Sequence, residues 1–403
     1  MEMQNFIIYI GDFDLRNENV QAHLVKNNTK IFNRLGYSVS LIGVNRKSTF
    51  EEIATLQKLD IGEGNQYLEL ENTLTVSGLF KYKRTESKIM AFMDGVARQG
   101  NVKFVISYQA PTFAPILKRV AEWCGRHGAK YIVNCADITV FDSQPLLRRM
   151  VMTRNWNYLH KVNRKYSDGL IAVSRYIENF YQKDGMPSVI IPPLFDNFVD
   201  KEYELSATTT FVYAGTPFVL KKNVNTVGMK DRLDKIVDLC LELSAEGVSY
   251  QLLVVGITKD MYITCIPRHK AALENKQDIV FKGRLPHSET LEAVRNADYM
   301  LNIRDHNVMN EAGLSTKVVE SVSLGTPVVM NSIGDTFMYL REGITGYELS
   351  GDMTKDVATL KGLCDKSFDE RVSFKKHCAG DRTFSLEKYE TKFEQFLDAV
   401  WSK

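Results

Sequence analysis

The sequence has no apolar run long enough to cross a membrane. A transmembrane helix needs about 18 consecutive apolar residues, and no stretch of the 403 residues reaches that length. The opening residues, MEMQNFIIYIGD, also lack the basic and apolar regions of a secretory signal. A hydrophobic share of 44% and a charged share of 25% are typical of a soluble globular protein. Together these features predict a cytoplasmic protein.

Cysteine is scarce and ungrouped. The six cysteines form no CxxC pair and have no histidine partner at ligand spacing. A disulfide framework and a structural zinc site are therefore not expected, and a reducing compartment fits. The sequence also lacks a Walker loop, a GxGxxG fingerprint and a nucleophile elbow, which argues against the enzyme classes that depend on them.

Acidic residues are missing between Ser143 and Ser167. Two interpretations of this basic stretch stay open: a helix lying on anionic lipid, or the solvated face of a packed helix. Its basic residues are Arg148, Arg149, Arg154, Lys161, Arg164 and Lys165, and its large apolar residues are Leu146, Leu147, Met150, Val151, Trp156, Tyr158 and Leu159.

What the sequence does contain is two rounds of alternating strand and helix patterns. The first round predicts strands at 6–10, 38–43, 104–108, 131–135, 169–173 and 189–191, with helices at 17–35, 84–99 and 113–127. The second predicts strands at 210–214, 250–255, 279–281, 299–303, 327–330 and 347–349, and a last helix at 385–401. Such alternation forms parallel sheets with helices on both faces.

The chain is too long for one ordinary core and suits two domains. Pro192-Pro193 breaks the first round, and the polar stretch that follows has no period, so it is predicted to be a linker. The predicted fold class is α/β, with two facing Rossmann-like domains. We expect an N-terminal acceptor-binding domain over 1–196, a linker over 197–209, a donor-binding domain over 210–382 and a terminal helix over 383–403.

Residues 310–330 are the most informative part of the chain. The turn Gly313-Leu314-Ser315-Thr316 precedes a predicted helix, whose first N–H groups and dipole attract an anion. Glu320 stands about one turn inside that helix, where its carboxylate can accept hydrogen bonds from ribose hydroxyls. The helix is predicted to end at Gly325, before an apolar strand. This arrangement predicts a site for a nucleotide diphosphate.

The same segment resembles the donor-site signature of retaining GT-B glycosyltransferases of family 4, the group 1 transferases. That family has two glutamates eight positions apart, then a small residue, a glycine and a Pro-Val-Val strand. Glu320, Gly325 and Pro327-Val328-Val329 match, but Ala312 stands where the first glutamate would be, and Glu311 is the nearest acid. Gly313 to Lys317 is similar to variants that carry a small residue there. The resemblance implies a GT-B fold in which the last helix returns to the first domain.

The resemblance also implies roles for residues at the ends of predicted strands. Lys230 and Arg304 would neutralise the diphosphate. For Lys230 the alternative is an exposed loop lysine without a binding role. For Arg304 the alternative is a salt bridge to Asp305 or Glu311. The expected donor-binding set is Gly215, Thr216, Lys230, Gly283, Arg284, Leu285, Arg304, Asn310, Gly313, Leu314, Ser315, Thr316, Lys317 and Glu320.

Retaining enzymes of this family are thought to need no side-chain nucleophile, because the leaving phosphate takes the acceptor proton. The expected catalytic residues are Glu311, Arg304, Lys230 and Asp137. The expected acceptor-binding residues are Gly11, Asp12, Gln109 and Asp137, because they follow strands of the first domain. For Gln109 and Asp137, capping of a strand end or formation of a turn is the alternative.

The triplet Asp12-Phe13-Asp14 has the spacing of a metal-binding motif in another glycosyltransferase fold. The family resembled here is metal-independent, and the triplet lies far from the donor elements. We therefore expect no metal and no other cofactor, and we expect the triplet to make loop or acceptor contacts.

These features predict a metal-independent hexosyltransferase that moves a sugar, with retention, from a nucleotide-diphosphate sugar to a glycan. A UDP-sugar is the favoured donor, and the resemblance suggests a lipid-linked oligosaccharide of bacterial surface polysaccharide as acceptor. No nucleic-acid partner is expected. A non-catalytic glycosyltransferase-like partner subunit and a GT-B sugar-nucleotide epimerase are the alternatives, and a solute-binding protein is disfavoured by the missing signal.

Overall fold

A computed structural model gives the structure of the chain. It describes residues 3–16, 20–45, 62, 64–71, 76–108, 114–138, 146–196, 203–218 and 229–403. The chain divides into two compact units, one of Met1–Leu194 together with Tyr389–Lys403 and one of Phe195–Lys388.

The described part of the first unit contains a seven-stranded parallel sheet in the order β3-β2-β1-β4-β5-β6-β7. Its strands are β1 (Asn5–Gly11), β2 (Ser38–Asn45), β3 (Gln66–Glu71), β4 (Asn101–Tyr108), β5 (Lys130–Cys135), β6 (Gly169–Ala172) and β7 (Ser188–Ile190). Its helices are α1 (Val20–Arg34), α2 (Val76–Gln99), α3 (Ala114–His127), α4 (Leu146–Tyr166) and α5 (Arg175–Tyr181). The strand order reverses between β1 and β4, and ligands of such sheets bind where the order reverses.

The described part of the second unit contains a six-stranded parallel sheet in the order β10-β9-β8-β11-β12-β13. Its strands are β8 (Thr210–Ala214), β9 (Gln251–Val255), β10 (Ile279–Gly283), β11 (Tyr299–Asn302), β12 (Val328–Asn331) and β13 (Gly346–Leu349). Its helices are α6 (Leu233–Ala245), α7 (Lys259–Cys265), α8 (Lys270–Leu273), α9 (His287–Arg295), α10 (Val308–Ala312), α11 (Thr316–Ser323), α12 (Met353–Cys364) and α13 (Phe368–Asp381). The order reverses between β8 and β11.

The two faces of this second sheet are covered by different helices. Phe211, Tyr299 and Leu301 belong to a buried apolar cluster with residues of α6 and α12. Side chains alternate between the faces along a strand, and α11 packs against β11 and β12. Helices thus cover both faces of the second sheet. A ligand would have to bind at the edge formed by the carboxyl ends of the strands.

A last helix, α14 (Leu386–Trp401), belongs mostly to the first unit. The ring of Phe393 meets that of Phe32 edge-on, with 5.2 Å between the ring centroids. Gly169 allows close approach of the helix, because a Cβ there would come within 2.6 Å of a Val400 methyl group. The buried apolar residues Phe393, Phe396 and Val400 therefore form the face of this helix that packs on the first unit.

Most predicted elements occur within a few residues of their expected bounds. Gly36 and Gly325 have φ values of 85° and 75°, as expected of glycines that end α1 and α11. Strand β3 was not predicted, and helix α10 stands where the sequence suggested a polar loop. In that part of the chain which the structure describes, no helix combines the length and the hydropathy needed to span a bilayer.

The linker predicted at 197–209 is described only from residue 203. Residues 203–209 form neither helix nor strand. The Arg371 guanidinium donates hydrogen bonds to the carbonyl oxygens of Ser206 and Ala207, over 3.1 and 2.9 Å. This part of the linker is thus fastened to the second unit.

We predict that Phe393→Ala destabilises the first unit by about 3–5 kcal/mol, because it removes a fully buried aromatic ring from a packed interface. Tryptophan fluorescence during urea unfolding checks this, since all three tryptophans lie in the first unit: Trp123, Trp156 and Trp401. The exposed neighbour Gln395→Ala is the control. Equal unfolding midpoints for Phe393→Ala and the control would contradict the assigned packing of α14.

Candidate functional site

Three glycines stand at the carboxyl ends of neighbouring strands β8, β9 and β10. Gly215, Gly256 and Gly283 have φ values of 138°, 115° and 69°, which favour glycine. The Gly215 N–H donates to the Val255 carbonyl over 2.8 Å, and the Gly256 N–H donates to the Gly283 carbonyl over 2.7 Å. A Cβ on Gly256 would overlap the backbone of Gly215. The glycines therefore allow these three strand ends to lie close together, with the Lys317 side chain packed over Gly215.

A buried carboxylate next to this edge holds two cations. Asp231 is completely buried and accepts hydrogen bonds from the Arg304 Nε over 2.8 Å and from the Lys317 ammonium group. The Tyr213 hydroxyl donates to the same carboxylate over 3.0 Å. With one anion and two cations, the cluster keeps a net positive charge.

The cations reach this point from different elements. Arg304 follows β11, and Lys317 lies in the first turn of α11. The Lys317 side chain runs over Gly215, where a Cβ would overlap it. Because β8 and β11 flank the reversal of strand order, both cations lie at the position where ligands of open α/β sheets bind.

Electrostatics in the cluster follow from burial and pairing. Burial alone would raise the pKa of Asp231, but Lys317 and Arg304 outweigh it and hold that pKa below its usual value. Burial lowers the pKa of Lys317, against the attraction of Asp231. Burial and the neighbouring Asp231 charge raise the pKa of the Tyr213 hydroxyl far above its usual value. The Asp231 carboxylate is thus the stabilised anion of the cluster.

Arg304 uses only part of its donor capacity. Its Nε donates to Asp231 and its backbone N–H donates to the Asn331 side chain over 2.9 Å. Among the described residues, neither terminal guanidinium nitrogen has a hydrogen-bond acceptor. A guanidinium with two unused nitrogens matches the oxygens of a phosphate bidentately.

The alternative salt bridges considered for Arg304 are made by other residues. Asp305 pairs with Arg232 over 2.6 Å and with Lys235 over 3.0 Å. Glu311 pairs with His306 over 2.6 Å. Among the described residues, Arg304 therefore pairs with Asp231.

The start of α11 presents backbone donors beside this cluster. Ser315 is the N-cap residue, but its side chain makes no capping hydrogen bond, and its buried hydroxyl has no partner among the described residues. Thr316 and Lys317 follow in the first turn, whose N–H groups have no acceptor inside the helix. Gly313 ends α10, its N–H donating to the Met309 carbonyl over 3.2 Å, and Leu314 is buried between the helices.

Glu320 is half-buried one turn further along α11. Burial raises the pKa of its carboxyl group, while His287 and Lys317 act in the opposite direction. In the described part of the chain its carboxylate accepts no hydrogen bond. A partly buried carboxylate without donors of its own can take them from a ligand.

The residues just before α11 are tied to the backbone around them. Glu311 accepts from the Gly334 N–H over 2.9 Å as well as from His306. Asn310 donates to the Asp305 carbonyl over 2.8 Å, while its buried side-chain oxygen has no partner within the described residues. Ala312, at the position of the missing glutamate, is completely buried.

The remaining residues of the expected donor set lie at the same edge. Thr216 follows Gly215 and is exposed, as is Lys230 beside Asp231. Lys230 is close enough to lower the pKa of Lys317 slightly by like-charge repulsion. After β10, Arg284 is exposed and Leu285 is half-buried.

Comparison with known proteins identifies the architecture of the chain. Searches of protein-family models and of curated proteins found no significant match, but solved structures match the whole chain. Alr3699/HepE from Anabaena, solved with UDP and glucose, is 11% identical with a TM-score of 0.60, covering 99% of this chain and 100% of that one. A glycosyltransferase from Rickettsia africae ESF-5 is 13% identical with a TM-score of 0.65, covering 98% of both. Sucrose-phosphate synthase from Thermosynechococcus elongatus is 13% identical with a TM-score of 0.61, covering 99% and 100%.

The fold is GT-B. At this level of identity the likeness establishes the architecture, and the chemistry has to be argued from the residues.

In the first unit of this GT-B chain, the predicted acceptor residues lie at the carboxyl edge of the sheet. Gly11 ends β1, and a Cβ there would come within 2.6 Å of the Tyr108 Cβ on β4. Asp12 is half-buried just beyond it, and Asp137 is exposed after β5. Gln109 lies outside the described residues.

The Asp12-Phe13-Asp14 triplet does not present two carboxylates side by side to solvent. Asp14 is buried and accepts from the Arg16 backbone N–H over 3.1 Å. Arg16 is also paired with Glu69. Across the described residues, no group of three histidine, cysteine or acidic side chains is placed to hold a metal ion.

The centre of the cluster around Asp231 is not predicted from the sequence. The sequence analysis assigns no role to Asp231 or to Tyr213. The available signal was the Lys230-Asp231-Arg232 run before a helix, in which one acid stands between two bases. Nothing local indicates that this acid faces Arg304 and Lys317, since 73 and 86 residues separate them.

We predict that Asp231→Asn lowers the free energy of unfolding by about 3 kcal/mol at neutral pH, because it leaves the buried Arg304 and the partly buried Lys317 without their counter-ion. Scanning calorimetry measures the loss, with the exposed Asp260→Asn as control.

The pH dependence of this loss follows from the lowered pKa of Asp231. The stabilisation is fully present above the unfolded-state pKa of about 3.9 and disappears as pH falls through the lower folded-state pKa. The difference in unfolding free energy between the wild type and Asp231→Asn should therefore disappear only at acidic pH. A gap that is absent at neutral pH would contradict the assigned ion cluster.

Proposed function

We propose that this GT-B protein is a glycosyltransferase that moves a hexose or N-acetylhexosamine from a nucleotide-diphosphate sugar to a glycan acceptor. The donor is a UDP-sugar, and the configuration at the anomeric carbon is retained. The reaction belongs to family 4 type chemistry and needs no metal ion.

The unused guanidinium nitrogens of Arg304 carry this proposal. They lie beside the partly engaged Lys317 ammonium group and the first turn of α11, so cationic and backbone donors converge at one edge. Such a set fits two linked phosphates. It also stabilises the negative charge that grows on the leaving diphosphate. In other transferases a divalent cation supplies this charge.

The rest of the donor has partners nearby. Glu320, one turn beyond Lys317 on α11, accepts hydrogen bonds from the ribose diol. The backbone after β10, at Gly283 to Leu285, lies against the base. Thr216 and Lys230 contact the diphosphate from the β8 side. The residues nearest to the sugar are Asn310 and Glu311.

Known GT-B structures support the choice of donor. Alr3699/HepE was solved with UDP, with UDP and glucose, and with UDP-glucose. WaaB, described as a lipopolysaccharide outer core galactosyltransferase, also has this architecture, with 12% identity and a TM-score of 0.59. We infer by analogy that the acceptor is a lipid-linked oligosaccharide of bacterial surface polysaccharide and that the protein works in the cytoplasm.

The first unit binds the acceptor in this proposal. Gly11 lets β1 and Tyr108 approach closely at this edge, and Asp12 and Asp137 offer carboxylates to sugar hydroxyls. Arg304 and Lys230 act catalytically by neutralising the departing diphosphate. The leaving phosphate oxygen takes the proton of the attacking hydroxyl, so no base has to be supplied by Asp137 or Glu311.

A second function is favoured by one observation. Ala312 replaces the first glutamate of the family pattern and is completely buried, while Glu311 is held by His306 and Gly334. A protein built this way could bind the donor without transferring its sugar, as a partner subunit. The two functions differ in whether sugar is transferred.

The experiment is a transfer assay with UDP-glucose, UDP-galactose and UDP-N-acetylglucosamine, offered with lipid-linked glycans extracted from bacterial membranes. Mass spectrometry detects the extended glycan, and NMR reports its anomeric configuration. Lys317→Met should abolish transfer and the exposed Lys355→Met should not. Donor binding without any product would favour the partner-subunit function, and an inverted product would contradict retention.

We predict that Glu320→Gln weakens UDP binding by about 1.5 kcal/mol, because a carboxylate that accepts hydrogen bonds from the ribose is replaced by a neutral amide. Isothermal calorimetry measures the affinity, with the exposed Glu292→Gln as control. Unchanged affinity in the folded variant would remove Glu320 from the site.

The same substitution should raise the melting temperature of the unliganded protein at neutral pH. Burial raises the pKa of Glu320, so its ionised form is disfavoured in the folded state. The stabilisation from this group is present below its unfolded-state pKa and is lost as pH rises through the folded-state pKa. UDP binding uses the ionised Glu320 carboxylate and is therefore favoured as pH rises. The difference in UDP affinity between the wild type and Glu320→Gln should shrink as pH falls.

A further inference from the structure

Helix α4 (Leu146–Tyr166) has two halves with different surroundings. Its second half is packed: Trp156, Leu159 and Val162 are buried, and the helix lies against α3. In the first half, 146–155, no described side chain is buried. The sequence left open a helix lying on anionic lipid or the solvated face of a packed helix, and the structure shows a packed second half and an exposed first half.

The first half exposes large apolar side chains to solvent. The exposed fractions of Leu146, Leu147, Met150 and Val151 are 74%, 77%, 62% and 52%. Single exposed apolar residues are normal on a surface. Four of them on two consecutive turns form an apolar patch, and such patches mark interaction sites.

The exposed residues continue as one stripe along the helix. Steps of three and four residues keep side chains on one face. We define the α4 stripe as the exposed residues that follow these steps, Leu147, Met150, Arg154, Tyr158, Lys161 and Lys165. The stripe is apolar at the amino end and cationic at the carboxyl end.

No acid offsets these charges within the helix. The residues between Ser143 and Ser167 include no aspartate or glutamate. Beside the stripe lies an open groove of about 640 Å³, lined by Asn157, His160, Lys161, Arg164, Lys165 and Phe180. The Arg164 guanidinium lies 4.4 Å from the centre of the Phe180 ring. Burial lowers the pKa of His160 to about 4, so Lys161, Arg164 and Lys165 supply the positive charge of the groove.

We propose that the α4 stripe docks the first unit on an anionic lipid bilayer. The apolar amino end enters the boundary between head groups and acyl chains, and Arg154, Lys161 and Lys165 contact anionic head groups. The positive charge of the stripe is complementary to an anionic bilayer. A nucleic acid would be bound by the cations alone, so the exposed apolar end favours a lipid surface as the partner. The proposal goes beyond the transfer reaction and does not depend on it.

The test is sedimentation of the full-length protein with sucrose-loaded vesicles of phosphatidylcholine, with and without phosphatidylglycerol. We expect binding only to the anionic vesicles, weakened by salt. Lys161→Gln with Lys165→Gln should lower the partition coefficient about 25-fold, since each cation near an anionic surface contributes about fivefold. Leu147→Ser with Met150→Ser should lower it about tenfold or more. The control is Lys355→Gln with Lys376→Gln, which removes the same charge from exposed positions elsewhere.

Each outcome decides the proposal. Binding that is lost in both stripe variants and kept in the control supports it, provided that circular dichroism and UDP affinity are unchanged. Absence of binding by the wild type, or equal loss in the control, overturns it. Wild-type vesicle binding by Leu147→Ser with Met150→Ser would also overturn it and would indicate a polyanion as the partner. UDP titration of the same samples keeps this result separate from the fate of the proposed reaction.

Discussion

The carboxylate of Asp231 lets two cations sit at one edge of a sheet where neither could be buried alone. Desolvating an ammonium or guanidinium group is costly unless a counter-ion is close. Asp231 supplies that counter-ion to both Lys317 and Arg304, yet one negative charge cannot neutralise two positive ones. The remaining positive charge and the unused nitrogens of Arg304 form the centre of the proposed donor site.

Topology explains why these residues meet. Strand order in the second sheet reverses between β8 and β11, so the chain leaves the sheet on opposite sides of this point. Gly215 follows one strand and Arg304 the other, and α11 adds Lys317 from its first turn. Gly215 lacks a Cβ, and only that lets the Lys317 side chain cross it to reach Asp231. The first sheet repeats the arrangement between β1 and β4, where Gly11 permits a similarly close approach.

The sequence predicted those features that are encoded locally. Apolar periodicity located almost every strand, and Gly36 and Gly325 marked helix ends because few other residues adopt positive φ there. The signature around Glu320 indicated the fold, and the donor site that it suggests stays a prediction. Long-range pairing was not predictable: the Asp231 cluster joins residues 73 and 86 positions apart, and the choice of Asp231 over Asp305 as partner of Arg304 depends on where Arg232 and Lys235 lie. Strand β3 was missed because QYLELE is short and contains two glutamates, which are depleted in strands, although Leu68 to Glu71 alternate.

The central claim is that the cluster around Asp231 binds a nucleotide diphosphate without a metal. Calorimetric titration of the protein with UDP, GDP, ADP and TDP in the presence of EDTA tests it most directly. We expect micromolar binding of UDP, lost in Lys317→Met and kept in Lys355→Met. Absence of binding by all four nucleotides, or binding of UDP that requires a divalent cation, would contradict it.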